Sequence, residues 1–189
     1  MRTIKMAAFA AVVLAGAVSA MGWPGGSGMD HAPPLGEPRP VWTEGRWPFP
    51  ADPWGKGKAF RCKAADCGGE VDVYLRAKLG FCNCTTGVAD DGDLERMSDL
   101  DLIGGEATAL GPGRPITVGS MQGRSRAYAL TARDRRGKSA VAIAFNERCD
   151  MIAATAVLQD VRPATIEPAI VEFLNSPTVL RWAEAALGL

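Results

Sequence analysis

The sequence predicts a single α+β domain, a mainly antiparallel sheet covered by helices, and three observations carry that prediction. Residues 59–77 read as strand, turn and returning strand, with Val71, Val73 and Leu75 alternating against Asp72, Tyr74 and Arg76. The run 140–145 is apolar on both faces, as expected of a central strand with layers above and below it. The chain then closes in two segments of helical spacing, 165–174 and 177–187, whose apolar residues require a sheet to pack on.

Taken in order, residues 1–20 read as a secretory signal peptide: a basic start at Arg2 and Lys5, an apolar run from Met6 to Val18, and small residues up to a cut after Ala20. The run is shorter than the roughly 20 apolar residues that cross a bilayer, and no second candidate follows, so no membrane span is expected after cleavage. The expected location is periplasmic or secreted. Residues 21–40 read as a flexible Pro/Gly-rich leader with too few apolar side chains to offset the entropy of ordering. Met29 and His31 lie there; two weak ligands in such a segment make no defined copper geometry.

The domain proper is expected over 41–189. Trp42, Trp47, Phe49 and Trp54, interleaved with Pro48, Pro50 and Pro53, read as a short edge strand and an extended arm whose rings cover the core. The same rings suit stacking on a sugar or a peptide. Residues 59–63 and 70–77 form a β-hairpin about a turn at 66–69. Leu94, Met97, Leu100 and Ile103 fall at helical spacing behind Asp90, Asp91 and Asp93, so a helix is expected to run to the stop at Gly104 and Gly105. The order of these acids does not match a calcium loop. A meander of strands is expected over 116–118, 124–133, 140–146 and 151–158, with a turn at 134–137. In the last helices Pro168 is tolerable only in a first turn, while Ser176 and Pro177 read as N-cap and first helical residue.

Charge narrows the function classes. Basic and acidic residues balance at 21 each and are dispersed, so no bulk field is present to hold nucleic acid. The sole histidine, His31, lies in the leader, which leaves the domain without an imidazole base for Ser-His-Asp or Cys-His chemistry. Paired carboxylates alone do not select a proton donor for glycoside hydrolysis.

The five cysteines, Cys62, Cys67, Cys82, Cys84 and Cys149, carry the sharpest alternatives. Export favours structural disulfides, with Cys62 and Cys67 meeting across the hairpin end and either Cys82 or Cys84 reaching Cys149; one thiol is then left over. A second reading gathers Cys62, Cys67, Cys82 and Cys84 into a four-thiolate metal site for zinc or copper, although neither gap matches the usual Cys-x-x-Cys knuckle. A third places redox chemistry at Cys82-Asn83-Cys84. Arg114, Arg124, Arg126, Arg133, Arg135, Arg136 and Lys138 cluster about one hairpin and suit either a solvated face or an acidic partner.

Together the residues predict a disulfide-stabilised, non-enzymatic module that binds a protein partner or small ligand through Trp47, Trp54, Arg124 and Arg126. The alternative is a thiol-dependent metal-binding or redox protein. The segments Trp47-Pro48-Phe49, Trp54-Gly55-Lys56-Gly57, Phe60-Arg61-Cys62, the stretch from Gly80 to Asp91, and Phe173-Leu174-Asn175-Ser176 resemble a family of uncharacterised exported bacterial proteins. That resemblance implies export and one domain, and it brings no activity. The order of elements is also similar to the PsbP/Mog1-like α/β/α sandwich, a likeness of fold that does not fix function.

Overall fold

The computed structural model describes residues 40–131 and 138–189, which fall within one compact unit, Gly36–Leu189. The expected signal peptide, the leader with Met29 and His31, and the turn carrying Arg133, Arg135 and Arg136 lie outside the described residues.

Strand β1 (Trp42–Gly45) is the expected short edge strand, and β2 (Lys58–Cys62) pairs with it on one side and with β3 (Glu70–Lys78) on the other. The hairpin connection is longer than a simple turn. It holds a one-turn helix, α1 (Ala64–Cys67), closed by Gly68 at φ 70°, a left-handed position that glycine adopts without a Cβ penalty. Helix α2 (Asp91–Met97) follows, then β4 (Ala107–Ala109), β5 (Arg114–Val118), β6 (Met121–Leu130), β7 (Lys138–Glu147), β8 (Asp150–Gln159), α3 (Pro163–Leu174) and α4 (Pro177–Leu187). The eight strands make one antiparallel sheet in the order β1-β2-β3-β8-β7-β6-β4, with β5 pairing β6 beside β4.

Strand β7 is an interior strand, paired on both sides beside the middle strand β8, in keeping with its two-sided apolar pattern. Val141, Ile143 and Phe145 join Val71, Val73, Leu75 and the buried residues of α3 and α4 in one cluster. Ala140, Ala142 and Ala144 face the other way, toward α2 and the turns beside it. Large side chains thus support the two long helices, while alanine on the opposite face lets α2 and its loops approach the sheet closely.

Two helices depart from the sequence expectation. The helix expected to run from 91 to 103 breaks at Ser98, which turns to extended backbone (ψ 163°), and a separate 3-10 turn spans Leu100–Ile103. Asp99 sits in the break and is buried at 4 % exposure, so the apolar spacing continues through a point where a carboxylate is drawn inward instead. Helix α3 starts two residues earlier than expected, with Pro163 in its first turn, so Pro168 sits inside the helix and removes one N–H from its ladder. Helix α4 follows its signals: Ser176 accepts from the Val179 N–H, and Gly188 closes it in the left-handed region.

Two disulfides, Cys62–Cys67 and Cys84–Cys149, close chain separations of 5 and 65 residues. In the chain-entropy account these contribute about 2 and about 4 kcal/mol by constraining the unfolded chain. Cys82 is the leftover thiol, and it is buried.

Candidate functional site

The side chains of β3 that alternate away from the α3–α4 core are Asp72, Tyr74, Arg76 and Lys78. At its C-terminal end β3 runs beneath the break between α2 and the 3-10 turn, which buries Arg76 and Lys78 to 3 % and 4 % exposure. A charge buried this deeply must be paired. Arg76 presents its Nε and Nη2 groups to the two oxygens of Asp99, the first at 2.9 Å, and its Nη1 to Oδ2 of Asp52. Lys78 Nζ donates to the Met97 carbonyl at 2.8 Å and lies 2.9 Å from Asp99 Oδ1. Met97 is the last residue of α2, so Lys78 satisfies a carbonyl that the helix leaves open.

The arm joins this network through Asp52. Its Oδ1 accepts from the Trp54 N–H at 2.8 Å, an Asx turn that orients Trp54 while Oδ2 receives Arg76. The Arg76 hydrogen bond, together with that from the Trp54 N–H, holds the Asp52 carboxyl below the usual carboxylate range against the cost of burial. For Arg76 burial opposes the charge, and the hydrogen bonds it donates to Asp99 and Asp52 outweigh it and raise the pKa. Beyond Asp52 the arm is held close by Gly57, where a Cβ would stand 1.9 Å from the Leu75 carbonyl oxygen and 2.7 Å from the Trp47 ring.

Above the charges lies a cleft of about 400 Å³, bounded by the arm at Asp52–Trp54, the loop at Phe81, and α2 with the 3-10 turn. Trp54 and Phe81 meet edge to face at 4.8 Å, and Lys78 Nζ lies 6.0 and 5.3 Å from their ring centroids. Phe81 remains 41 % exposed and Leu79 57 %, so this end of the sheet offers apolar surface beside the cleft. Asp101 and Glu95 stand at its rim. A second hollow, of about 450 Å³, lies over β1 and β2 near Arg46 and Tyr74; there Arg61 is committed to Asp72 through two hydrogen bonds at 2.6 and 3.2 Å.

The other residues named from the sequence have definite places. Trp47 packs edge-on against Phe49 at 5.2 Å and Tyr74 at 6.2 Å, apart from the residues that line the cleft. Arg124 and Arg126 face α2. Arg124 Nε reaches Asp91 Oδ1 at 2.5 Å, while Arg126 reaches Glu95 Oε1 at 2.6 Å and the Gly111 carbonyl at 2.7 Å. The Gly113 N–H and Arg124 hold the Asp91 carboxyl below its ordinary pKa. The acids at the start of α2 therefore dock the helix to β6, and Asp90 caps it by accepting from the Asp93 N–H at 2.8 Å. Arg114 pairs with Glu167 of α3 at 2.8 Å on the opposite face of the sheet.

Of the four thiols in the metal reading, Cys62, Cys67 and Cys84 are in disulfides, which leaves Cys82. Among the described residues no group of three or more His, Cys, Asp or Glu side chains is arranged to hold a metal ion. No described helix is long and apolar enough to cross a membrane.

Sequence reasoning passed over Arg76, Lys78 and Asp99. The signal was present in the period of β3: a strand covered on both faces that carries Arg76 and Lys78 on one of them needs a buried acid nearby. Apolar spacing that continues through Asp99 predicts one helix there and so masks the acid in the break. No protein-family model matches the chain, and no curated protein matches it.

Proposed function

We propose that this chain is an exported, disulfide-stabilised binding module without catalytic activity of its own, and that its ligand site is the cleft bounded by Trp54, Phe81 and Asp101. The observation that carries this reading is an aromatic pair, Phe81 exposed and Trp54 half-buried, set over a fully paired buried charge network beside the Asp101 carboxylate. Arg76 and Lys78 are neutralised by Asp52 and Asp99, and at the rim Glu95 is paired with Arg126 and Arg96 with Asp93, so the charge left to meet a ligand is the Asp101 carboxylate. The best-fitting guest is a basic side chain of a protein partner, its alkyl stem on the rings and its charge at Asp101. Of the residues named from the sequence, this reading keeps Trp54 in contact with ligand; it makes Trp47 a support for the arm, and Arg124 and Arg126 the anchors of α2. The three-layer arrangement, helices on both faces of an antiparallel sheet, supports grouping the fold with the PsbP/Mog1-like sandwiches.

The test is a titration of the ¹⁵N-labelled mature chain with blocked arginine, lysine and aspartate amides, followed at the tryptophan indole resonances. The Trp54 signal, assigned with Trp54→Phe, moves with the basic probes and stays in place with the acidic one. Shifts confined to other tryptophans, or equal shifts with the aspartate probe, overturn the assignment.

A further inference from the structure

The odd cysteine is not remote from the disulfides. The loop 79–90 is clasped to the turn between β7 and β8 by Asp150, whose Oδ1 accepts from the Gly80 N–H at 2.6 Å, and by Asn146, whose Oδ1 accepts from the Val88 N–H at 3.1 Å. At the centre of that clasp the Cys82 N–H donates to the Cys149 carbonyl at 3.2 Å, and the Cys82 thiol donates to the Arg148 carbonyl at 3.2 Å. Cys84, two residues along the same loop, is bonded to Cys149. Cys149 therefore has two cysteines of one loop beside it, a buried thiol and an exposed disulfide partner.

We infer that Cys82, Cys84 and Cys149 form an internal thiol–disulfide exchange unit, in which Cys82 displaces Cys84 from Cys149 and presents Cys84 as a free thiol at the surface. The Cys82 thiolate attacks Sγ of Cys149, the Cys84–Cys149 bond breaks, and its electron pair leaves on Sγ of Cys84. The proton lost by Cys82 is regained at Cys84, so the number of disulfides and the oxidation level are unchanged and no external oxidant is needed. Cys149 is the target because attack on Cys84 would close a bridge between residues only two apart in sequence. Cys84 is the better leaving group because it is exposed and its departing thiolate is hydrated. Once free, the Cys84 thiolate can attack a disulfide on a second molecule, leaving a mixed disulfide at Cys84 and releasing one thiolate from that molecule.

The resting state is guarded. Burial, with Asp150 of β8 and Asp93 of α2 adding negative charge, raises the Cys82 pKa, so Cys82 is held as a thiol and the Cys84–Cys149 bond persists. Exchange accordingly quickens as pH rises toward the range where Cys82 ionises, or when loop 79–90 opens and hydrates it.

The experiment treats the folded, oxidised chain with N-ethylmaleimide at neutral and at mildly alkaline pH, quenches in acid, and maps disulfides by peptic digestion without reduction. The expected product carries the label on Cys84 together with a Cys82–Cys149 linked peptide, and it accumulates faster at the higher pH. Label on Cys82 with Cys84–Cys149 intact, or no label at either position over a period in which the denatured chain labels fully, overturns the proposal. In Cys82→Ser the label at Cys84 should be lost; its persistence would mean that the bridge opens without Cys82, which also overturns it. As a check on reach, Cys84→Ser treated with oxidised glutathione should close Cys82 onto Cys149. Glutathione adducts without that internal bridge would show that the two sulfurs do not meet, against the proposal.

Discussion

Replacing Asp99 with alanine tests whether the buried charge network organises this end of the sheet. Asp99 is the common partner of Arg76 and Lys78, and the three side chains are 5 %, 4 % and 5 % exposed. Its removal leaves Arg76 with Asp52 and Lys78 with the Met97 carbonyl. Stripping the partner from a buried ion pair costs roughly 3–5 kcal/mol, most of it the penalty of the charge left behind. Because each cation keeps one partner here, the expected loss lies at the low end, about 3 kcal/mol. Urea unfolding followed by tryptophan fluorescence reads this as a lower midpoint with an unchanged slope. Asp52→Ala should lose less, since that carboxylate is 30 % exposed and water can take its place. An Asp99→Ala protein as stable as wild type, or no less stable than Asp52→Ala, would refute the view that Asp99 is the hub. The triple replacement of Arg76, Lys78 and Asp99 by apolar residues of similar volume sharpens the test, because it removes all three charges and should recover much of the loss.

Further outcomes follow from the same geometry. Breaking Cys84–Cys149 with Cys149→Ser should destabilise the fold by about 4 kcal/mol, against about 2 kcal/mol for Cys62→Ser, an ordering set by loop length and readable from thermal or urea midpoints. In acid, Asp52 and Asp91 both have pKa values below the ordinary carboxylate range, so the unfolded chain takes up protons before the native state does. Stability is therefore fully present above the ordinary aspartate pKa of about 3.9 and declines as pH falls from there through the depressed native values. Asp91→Asn should flatten part of that decline in unfolding curves taken across the acid range. Pro168→Ala restores an N–H to the interior of α3 and should stabilise by about 1 kcal/mol, the helix gain exceeding the added freedom of the unfolded chain; a loss would mean that proline packing, not the missing hydrogen bond, governs that turn.

What could be read from the sequence was whatever a short period or a local cap encodes. The alternation of Val71, Val73 and Leu75 gave β3, the two-sided apolar run gave the interior strand β7, and Ser176, Pro177 and Gly188 marked both ends of α4. Each of these signals acts within a few residues of itself. The helix break at Ser98 did not announce itself this way, because its cause lies at Arg76 and Lys78, about 20 residues earlier in the chain. Local spacing favoured one helix through Ile103, and a long-range ion pair overrode it. The cysteine pairing shows the same limit in another form. Hairpin geometry pointed to Cys62–Cys67, whereas the choice between Cys82 and Cys84 for Cys149 depends on how one loop sits on a turn 65 residues away.

The cleft is the consequence of those long-range contacts. β7 and β8 carry alanine at positions 140, 142, 144 and 153 on the face toward α2, which keeps that floor low. Flanking it, β3 and β6 each raise a pair of cations, Arg76 with Lys78 and Arg124 with Arg126. The segment from α2 to the 3-10 turn crosses between them with an acid at each landing, Asp91 and Glu95 on β6, Asp99 on β3. A helix fixed by charge at both ends over a thin alanine floor is set by ion pairing more than by apolar packing. Its position, and with it the width of the cleft beside Trp54, should therefore respond to Asp91→Asn and Asp99→Asn far more than to trimming Leu94 or Met97 to smaller apolar residues. Hydrogen exchange across residues 91–103 separates the two cases, since loosened charge anchors would raise exchange along the whole crossing while a core vacancy would raise it only near the trimmed side chain.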